Sequence, residues 1–427
     1  MRTAPTASEL TPFARWWIVG LLAAALFINY VDRGAVPTAA HLIQEELGLS
    51  PKELGILFSA FFWTYSILQI PVGWVAERYG AHRVLAVGLA LWACATMMVG
   101  FAHSFAALLL LRMLLGVGES AGFPSASKLL AASVPVGSLG LANGILAFAY
   151  QFGPAVGAYA GGLIMVHHGW RAAFWIFGSL SLLWLLPWAR VRLPAQPVEA
   201  SATRHPPMRA ILRQPSLWGT ALGLFSTNYV FYFVLNWLPY YVVRERGFST
   251  GEMASLTGGA WLVSALSSVI GGWAIDRFVR AGWANTAYKS VMVVAHVGTV
   301  GCMLGIAFGS QPWALAGIFI YQVLVGASSA GVFAIPQILA GPAASARWVG
   351  IQNCCGNFAG VIAPALTGLL VEETHHFTAA FVTAAAVSLA GLVGWTWMVP
   401  RVAPLVWAPG ARGSEPELAT AAPIEHL

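Results

Sequence analysis

Gly73-Trp74-Val75-Ala76-Glu77-Arg78 and Gly272-Trp273-Ala274-Ile275-Asp276-Arg277 spell one pattern twice: glycine, tryptophan, two spacers, an acid, an arginine. Each copy closes an apolar run of helical length, near 54–75 and near 252–274. A pattern repeated at the same place in two distant runs points to two related halves. Halves related by an axis along the membrane normal are one known transporter design.

Outward from these runs, further apolar stretches lie near 15–36, 83–102, 105–130, 139–165 and 171–189, then near 216–242, 288–308, 312–338, 346–371 and 377–399. A helix that crosses the hydrocarbon core needs about 20 apolar residues. The expected fold is therefore an all-α membrane protein of twelve transmembrane helices in two six-helix halves. Composition agrees: 58% of the 427 residues are hydrophobic and only 9% charged, against about 25% charged in soluble domains. The mean hydropathy is +0.72.

The expected organisation is a tail over 1–14, an N-terminal half over 15–189, a linker over 190–215, a C-terminal half over 216–399 and a tail over 400–427. The linker is basic and proline-rich, with Arg190, Arg192, Arg204, Arg209 and Arg213 among Pro194, Pro197, Pro206 and Pro207. Lys and Arg bias sets orientation. Placing both termini in the cytoplasm puts Arg2, Arg15, Arg78, Arg83, the linker arginines, Arg277, Arg280, Lys289 and Arg347 inside, and leaves Lys52, Arg171, Arg244 and Arg246 outside. That orientation predicts a multi-pass protein of the bacterial inner membrane. The run from Trp16 continues into Asn29-Tyr30-Val31-Asp32-Arg33 without a cleavage signal, so it reads as a retained span.

Several classes are excluded. The net charge of +6 is spread over short loops, unlike a nucleic-acid face. No H-E-x-x-H motif and no Cys–His constellation supports an enzyme. Cys94, Cys302, Cys354 and Cys355 lie in apolar runs without metal-ligand spacing and read as free and buried, and no cofactor or metal is expected. A self-contained bundle in lipid predicts a monomer.

Four charges fall inside predicted spans: Asp32 and Arg33 in the first, Arg112 and Glu119 in the fourth. Each costs about 2.5–3.5 kcal/mol at the bilayer centre on insertion scales, so such groups normally face a wet cavity. The second half carries no comparable charge. Counting about 1.5 Å per residue places Asp32 at the depth of Arg112, with Glu119 deeper. The expectation is an Asp32–Arg112 contact in at least one state. The plainer alternatives are that Asp32 and Arg33 meet water at a span end, and that Arg112 and Glu119 form a structural pair.

Gly73, Glu77, Arg78, Gly80 and Arg83 resemble the loop motif of the major facilitator superfamily, with Glu77 in place of the usual Asp and His82 at one basic position. The acid–arginine pair is expected to latch neighbouring spans; a bare topology signal is the alternative. Within that superfamily, Asn29-Tyr30-Val31-Asp32-Arg33, the Arg112–Glu119 spacing and Phe123-Pro124 resemble the anion:cation symporter branch. The resemblance implies that Asp32 and Glu119 carry protons, that Arg33 contacts the substrate carboxylate, and that Tyr30 lines the site. It also implies substrate contacts from Gln151 and from Asn357 in Gly356-Asn357-Phe358-Ala359-Gly360. Phe152-Gly153-Pro154 is more apolar than a polyol ligand calls for. In the seventh span, Tyr232 and Asn236 share a helix face and suit hydroxyls or an aromatic acid. Ordinary interhelical bonding is the alternative for these.

The resulting expectation is a secondary transporter that takes up a small organic anion with protons: a sugar acid such as a hexonate, hexuronate or aldarate, with Arg112 assisting Arg33. Hydroxy acids, aromatic acids and organophosphates remain alternatives, as do sodium coupling and a transporter-like sensor. Two intramembrane arginines argue against a cationic drug.

Overall fold

The structure, a computed structural model, describes residues 11–134, 139–191 and 206–407. Its helices are α1 (Pro12–Leu47), α2 (Pro51–Tyr79), α3 (Ala81–Val99), α4 (Phe105–Glu119), α5 (Gly122–Ser133), α6 (Leu139–Leu183), α7 (Leu185–Trp188), α8 (Met208–Leu212), α9 (Pro215–Arg244), α10 (Thr250–Arg280), α11 (Ala284–Phe308), α12 (Gln311–Thr374) and α13 (Thr378–Val393), closed by a π-helical turn, Gly394–Met398.

Two of these are pairs of spans run together. The backbone leaves the helix at Gly169 (φ 77°) in α6 and at Gly341 (φ 63°) in α12, conformations that glycine adopts without steric cost. Among the described residues nine helices are long and apolar enough to cross a membrane, one of them the stretch that Gly169 divides. With that division, and with the long helices α2 and α9, the helices agree with the expected dozen.

The repeat extends further than its motif. Ser50 caps α2, accepting from the Glu53 amide while Glu53 returns a bond to the Ser50 amide. Ser249 and Glu252 do the same for α10. This reciprocal cap satisfies two otherwise orphaned amides. The offset that lays Gly73 on Gly272 also lays Ser50 on Ser249 and Glu53 on Glu252.

The halves meet chiefly where α6 packs on α10 and α2 on α12. Within the N-terminal half, α6 lies against α1 because Gly153 and Gly157 carry no side chain: a Cβ at Gly153 would stand 2.6 Å from Tyr30 Cβ, and one at Gly157 2.6 Å from the Val31 carbonyl.

Three expectations need correction or lie out of reach. The first span does not end near residue 36; α1 runs on to Leu47, where Gly48 stops it in a left-handed conformation. All four cysteines are free, but only Cys302 is buried, and Cys94 is exposed on α3. The linker over 192–205, both outermost tails and the side chain of Glu77, with its expected latch, lie outside the described residues.

Candidate functional site

The longer α1 changes which charges meet. Arg33 is fourteen residues from Leu47 and Glu119 fourteen from Phe105, so both lie about 21 Å from the same end of the bundle. Arg112 is only about 10 Å from it. Arg33 Nε donates to Glu119 Oε2 at 2.6 Å, with side-chain exposures of 3% and 0%. The expected Asp32–Arg112 contact is not made in this state. Glu119 is a partner of Arg33 rather than a separate carboxylate.

Backbone packing brings Glu119 there. Gly116 lies against the Phe61 carbonyl on α2, and Gly118 against Gly88 and Trp92 on α3, where a Cβ would come within 2.7 Å of the Trp92 amide nitrogen. Between Glu119 and Gly122 the helical hydrogen-bond ladder is locally interrupted, although Ser120 and Ala121 keep helical backbone angles.

The Arg33 guanidinium is caged by rings, its Cζ lying 4.7 Å from the Tyr30 centroid, 4.7 Å from Phe61 and 4.4 Å from Tyr65. Desolvated cation–π contacts of this kind contribute on the order of 2 kcal/mol each. Its Nη1 and Nη2 are buried and make no hydrogen bond, as does Glu119 Oε1.

Asp32, the next residue round the helix, faces α6. Its Oδ2 accepts from Ser181 Oγ at 3.4 Å, but that hydroxyl has a nearer acceptor, the Phe177 carbonyl at 2.8 Å. Asp32 Oδ1 has no partner. Arg112 turns to α2, with Nε 3.4 Å from the Leu57 carbonyl and Nη2 3.5 Å from that of Phe58.

Of the remaining expected residues, Asn357 and Gln151 bridge the two halves. Tyr232 OH donates to Asn357 Oδ1 at 3.0 Å, and Asn357 Nδ2 donates to Gln69 Oε1 at 3.5 Å. Gln151 Nε2 donates to Ser329 Oγ at 3.3 Å, and Ser264 Oγ to Gln151 Oε1 at 3.5 Å. Asn236 is not brought to this network; its Nδ2 donates to the Tyr232 carbonyl of its own helix at 2.7 Å. Sequence reasoning missed Gln69, Tyr65 and Ser181. Tyr65 and Gln69, four apart on one face of an apolar helix, were a readable signal; Ser181 was not, since a lone serine in a span is commonplace.

In this state the quartet is closed off: Asp32, Arg33, Arg112 and Glu119 are each at most 3% exposed. The expected water-filled cavity is therefore absent here. The end of the bundle that carries the α1–α2 turn is sealed between the halves. Glu45 pairs with Arg244 at 2.9 Å, Tyr240 OH donates to Gln44 Oε1 at 2.9 Å, and the Lys52 amide donates to Glu372 Oε2 at 3.0 Å. Gly55 meets Pro364 and Gly368 of α12 backbone to backbone.

Two repeated halves and a buried ionic centre suit a solute carrier, and the profile of the Major Facilitator Superfamily matches residues 22–362. The chain belongs to the Major Facilitator Superfamily. This transporter is 29% identical to a probable sulfoacetate transporter of Cupriavidus necator, the match covering 90% of the chain and 94% of that relative. It is 28% identical to a hexuronate transporter of Bacillus subtilis, over 91% and 94%. A bacterial homologue of the lysosomal transporter Spinster, solved inward-facing and unoccupied, superposes with a TM-score of 0.73 at 18% identity, over 92% of this chain and 96% of that one. That likeness speaks for the fold alone. Family and relatives make the chain a transporter and not an enzyme.

Proposed function

We propose that this transporter carries a small organic anion together with protons, exposing the Arg33 site alternately to the two sides of the membrane. The observation that carries the reading is the Arg33 fork. Glu119 holds Nε, while both terminal nitrogens are buried and unpartnered. A carboxylate accepts two parallel N–H bonds from a guanidinium, and the same fork suits sulfonate or phosphate oxygens. The relatives named for hexuronate and sulfoacetate both handle anions, which supports the class.

A sugar acid (hexonate, hexuronate or aldarate) fits the polar groups about the centre: Gln69, Gln151, Tyr232 and Asn357. The rings of Tyr30, Phe61 and Tyr65 favour a second reading, an aromatic acid. Arg112 supplies further positive potential behind Arg33 rather than a direct contact.

Coupling follows from charge balance. In the empty site Arg33 and Glu119 neutralise one another, so neither of these two ions is left unpaired when the site closes. An arriving anion competes with Glu119 for Arg33, and a proton on Glu119 removes that competition. Asp32 is buried with no cation beside it, and burying an ionised carboxylate unpaired is expensive; a second proton there removes the cost. With the linker and both termini in the cytoplasm of a bacterium, the sealed end faces outward, so this state has closed the outer path. A single chain suffices for the cycle.

Proteoliposomes test the scheme. Glu119→Gln is expected to abolish accumulation driven by an inward proton gradient while keeping exchange of solute loaded on both sides. Full gradient-driven accumulation by that variant would falsify the coupling role.

A further inference from the structure

The C-terminal half, which carries no intramembrane Asp, Glu, Lys or Arg at its centre, holds a buried histidine with an unfinished hydrogen-bond pattern. His296, on α11, is 5% exposed. It lines a pocket with Ser226, Thr227, Thr299, Tyr321, Ser328 and Ser388, drawn from α9, α11, α12 and α13. No carboxylate or basic side chain lines this pocket, and the titratable neighbour is Tyr321.

The pattern can be followed proton by proton. His296 Nδ1 lies 2.9 Å from the Met292 carbonyl, which only accepts, so Nδ1 carries a hydrogen. Neutral imidazole then has a bare lone pair on Nε2. The polar atom facing it is Thr227 Oγ1 at 3.5 Å. The single proton of that hydroxyl is directed to the Gly223 carbonyl, 2.9 Å away. With that proton on the carbonyl no donor reaches Nε2, and a proton on Nε2 completes the contact. Two more hydroxyls in the pocket, Ser226 Oγ and Tyr321 OH, have no partner. Gly391 of α13 keeps the space open: a Cβ there would lie 2.6 Å from Ser226 Cβ and 2.8 Å from His296 Nε2.

We infer that His296 and its ring of hydroxyls form a proton-binding site in the C-terminal half, separate from the Arg33 centre. The bound proton completes an Nε2–H···Oγ1 bond to Thr227 and ties α11 to α9. The same α9 carries Tyr232 and Tyr240, which reach Asn357 and the opposite half's Gln44. Protonation at His296 thus bears on the helix that helps seal the α1–α2 end. The inference does not rest on Asp32 or Glu119 carrying protons.

The test is NMR of the full chain in nanodiscs with ring-labelled histidine, the His296 signal assigned by its loss in His296→Gln. His296 is expected to carry its neutral proton on Nδ1 and to become imidazolium on acidification. Thr227→Val, which removes the acceptor, should lower the midpoint by about one pH unit, because a hydrogen bond to a charged group is lost. Asp32→Asn with Glu119→Gln should leave that titration in place, so a failure of the proposed coupling carboxylates is read separately. A ring that stays neutral down to about pH 4, or a midpoint unmoved by Thr227→Val, overturns the site.

Discussion

Arg33 is held by one carboxylate and three aromatic rings, and its exposure is 3%. Removing one partner of a buried pair leaves the other charge uncompensated, at about 3–5 kcal/mol. Glu119→Gln is therefore expected to melt lower than wild type when empty, and to regain more stability on adding the transported anion than wild type does. Equal anion-induced shifts in the two proteins would remove Glu119 as a competitor. Arg33→Lys keeps the charge but loses the fork. It should weaken anion binding by roughly ten- to a hundredfold, the value of a charge-assisted bond or more, as read by titration calorimetry; unchanged affinity would place the anion elsewhere. The four charges were legible as residues because an ion in an apolar run has no structural reason to be there. Their pairing was not, since it turned on where the first span ends. His296 went unread because only a fold shows that a histidine, often a surface residue, is surrounded by hydroxyls.

At the scale of elements, close backbone approach sets the geometry. Gly157 lets α6 lie on the Val31 carbonyl, one residue before Asp32, and Gly118 lets α4 lie on α3, one residue before Glu119. Overpacking such contacts costs typically about 1–3 kcal/mol. Gly118→Val should thus destabilise the protein by about that amount and displace Glu119 from Arg33. The checks are thermal denaturation and gradient-driven uptake, and a variant with native stability and full coupling would contradict this packing role. The α2 and α9 helices line the centre, with Tyr65 and Gln69 on one and Tyr232 on the other.

At the scale of the molecule, one end is shut by contacts of very different worth. Glu45 and Arg244 are substantially exposed, with side-chain exposures of 58% and 38%, and such pairs are worth only about 0–1 kcal/mol. Reversing the Arg244 charge (Arg244→Glu) should therefore shift the balance between closed and open states by about fivefold at most, seen as a modest rise in thiol labelling of a cysteine placed at Ser59. The Gly55–Gly368 contact is backbone against backbone, and a bulkier side chain there has nowhere to go. Gly55→Leu should hold this end open, giving strong labelling at the same cysteine and little net uptake. Normal uptake with low labelling would show that α2 and α12 do not form the seal.

The sequence by itself determined that the chain lies in lipid, that it is built from two related halves, and which residues are chemically out of place. These follow from composition and repetition, which are local and additive along the chain. Tertiary structure alone decided that Arg33 meets Glu119 rather than Asp32 meeting Arg112, that Gln69 joins Asn357, and that His296 sits among hydroxyls. Those depend on the depth and rotation of each helix against its neighbours. A few residues' error in a helix end moves a side chain by several ångströms, more than a hydrogen bond tolerates.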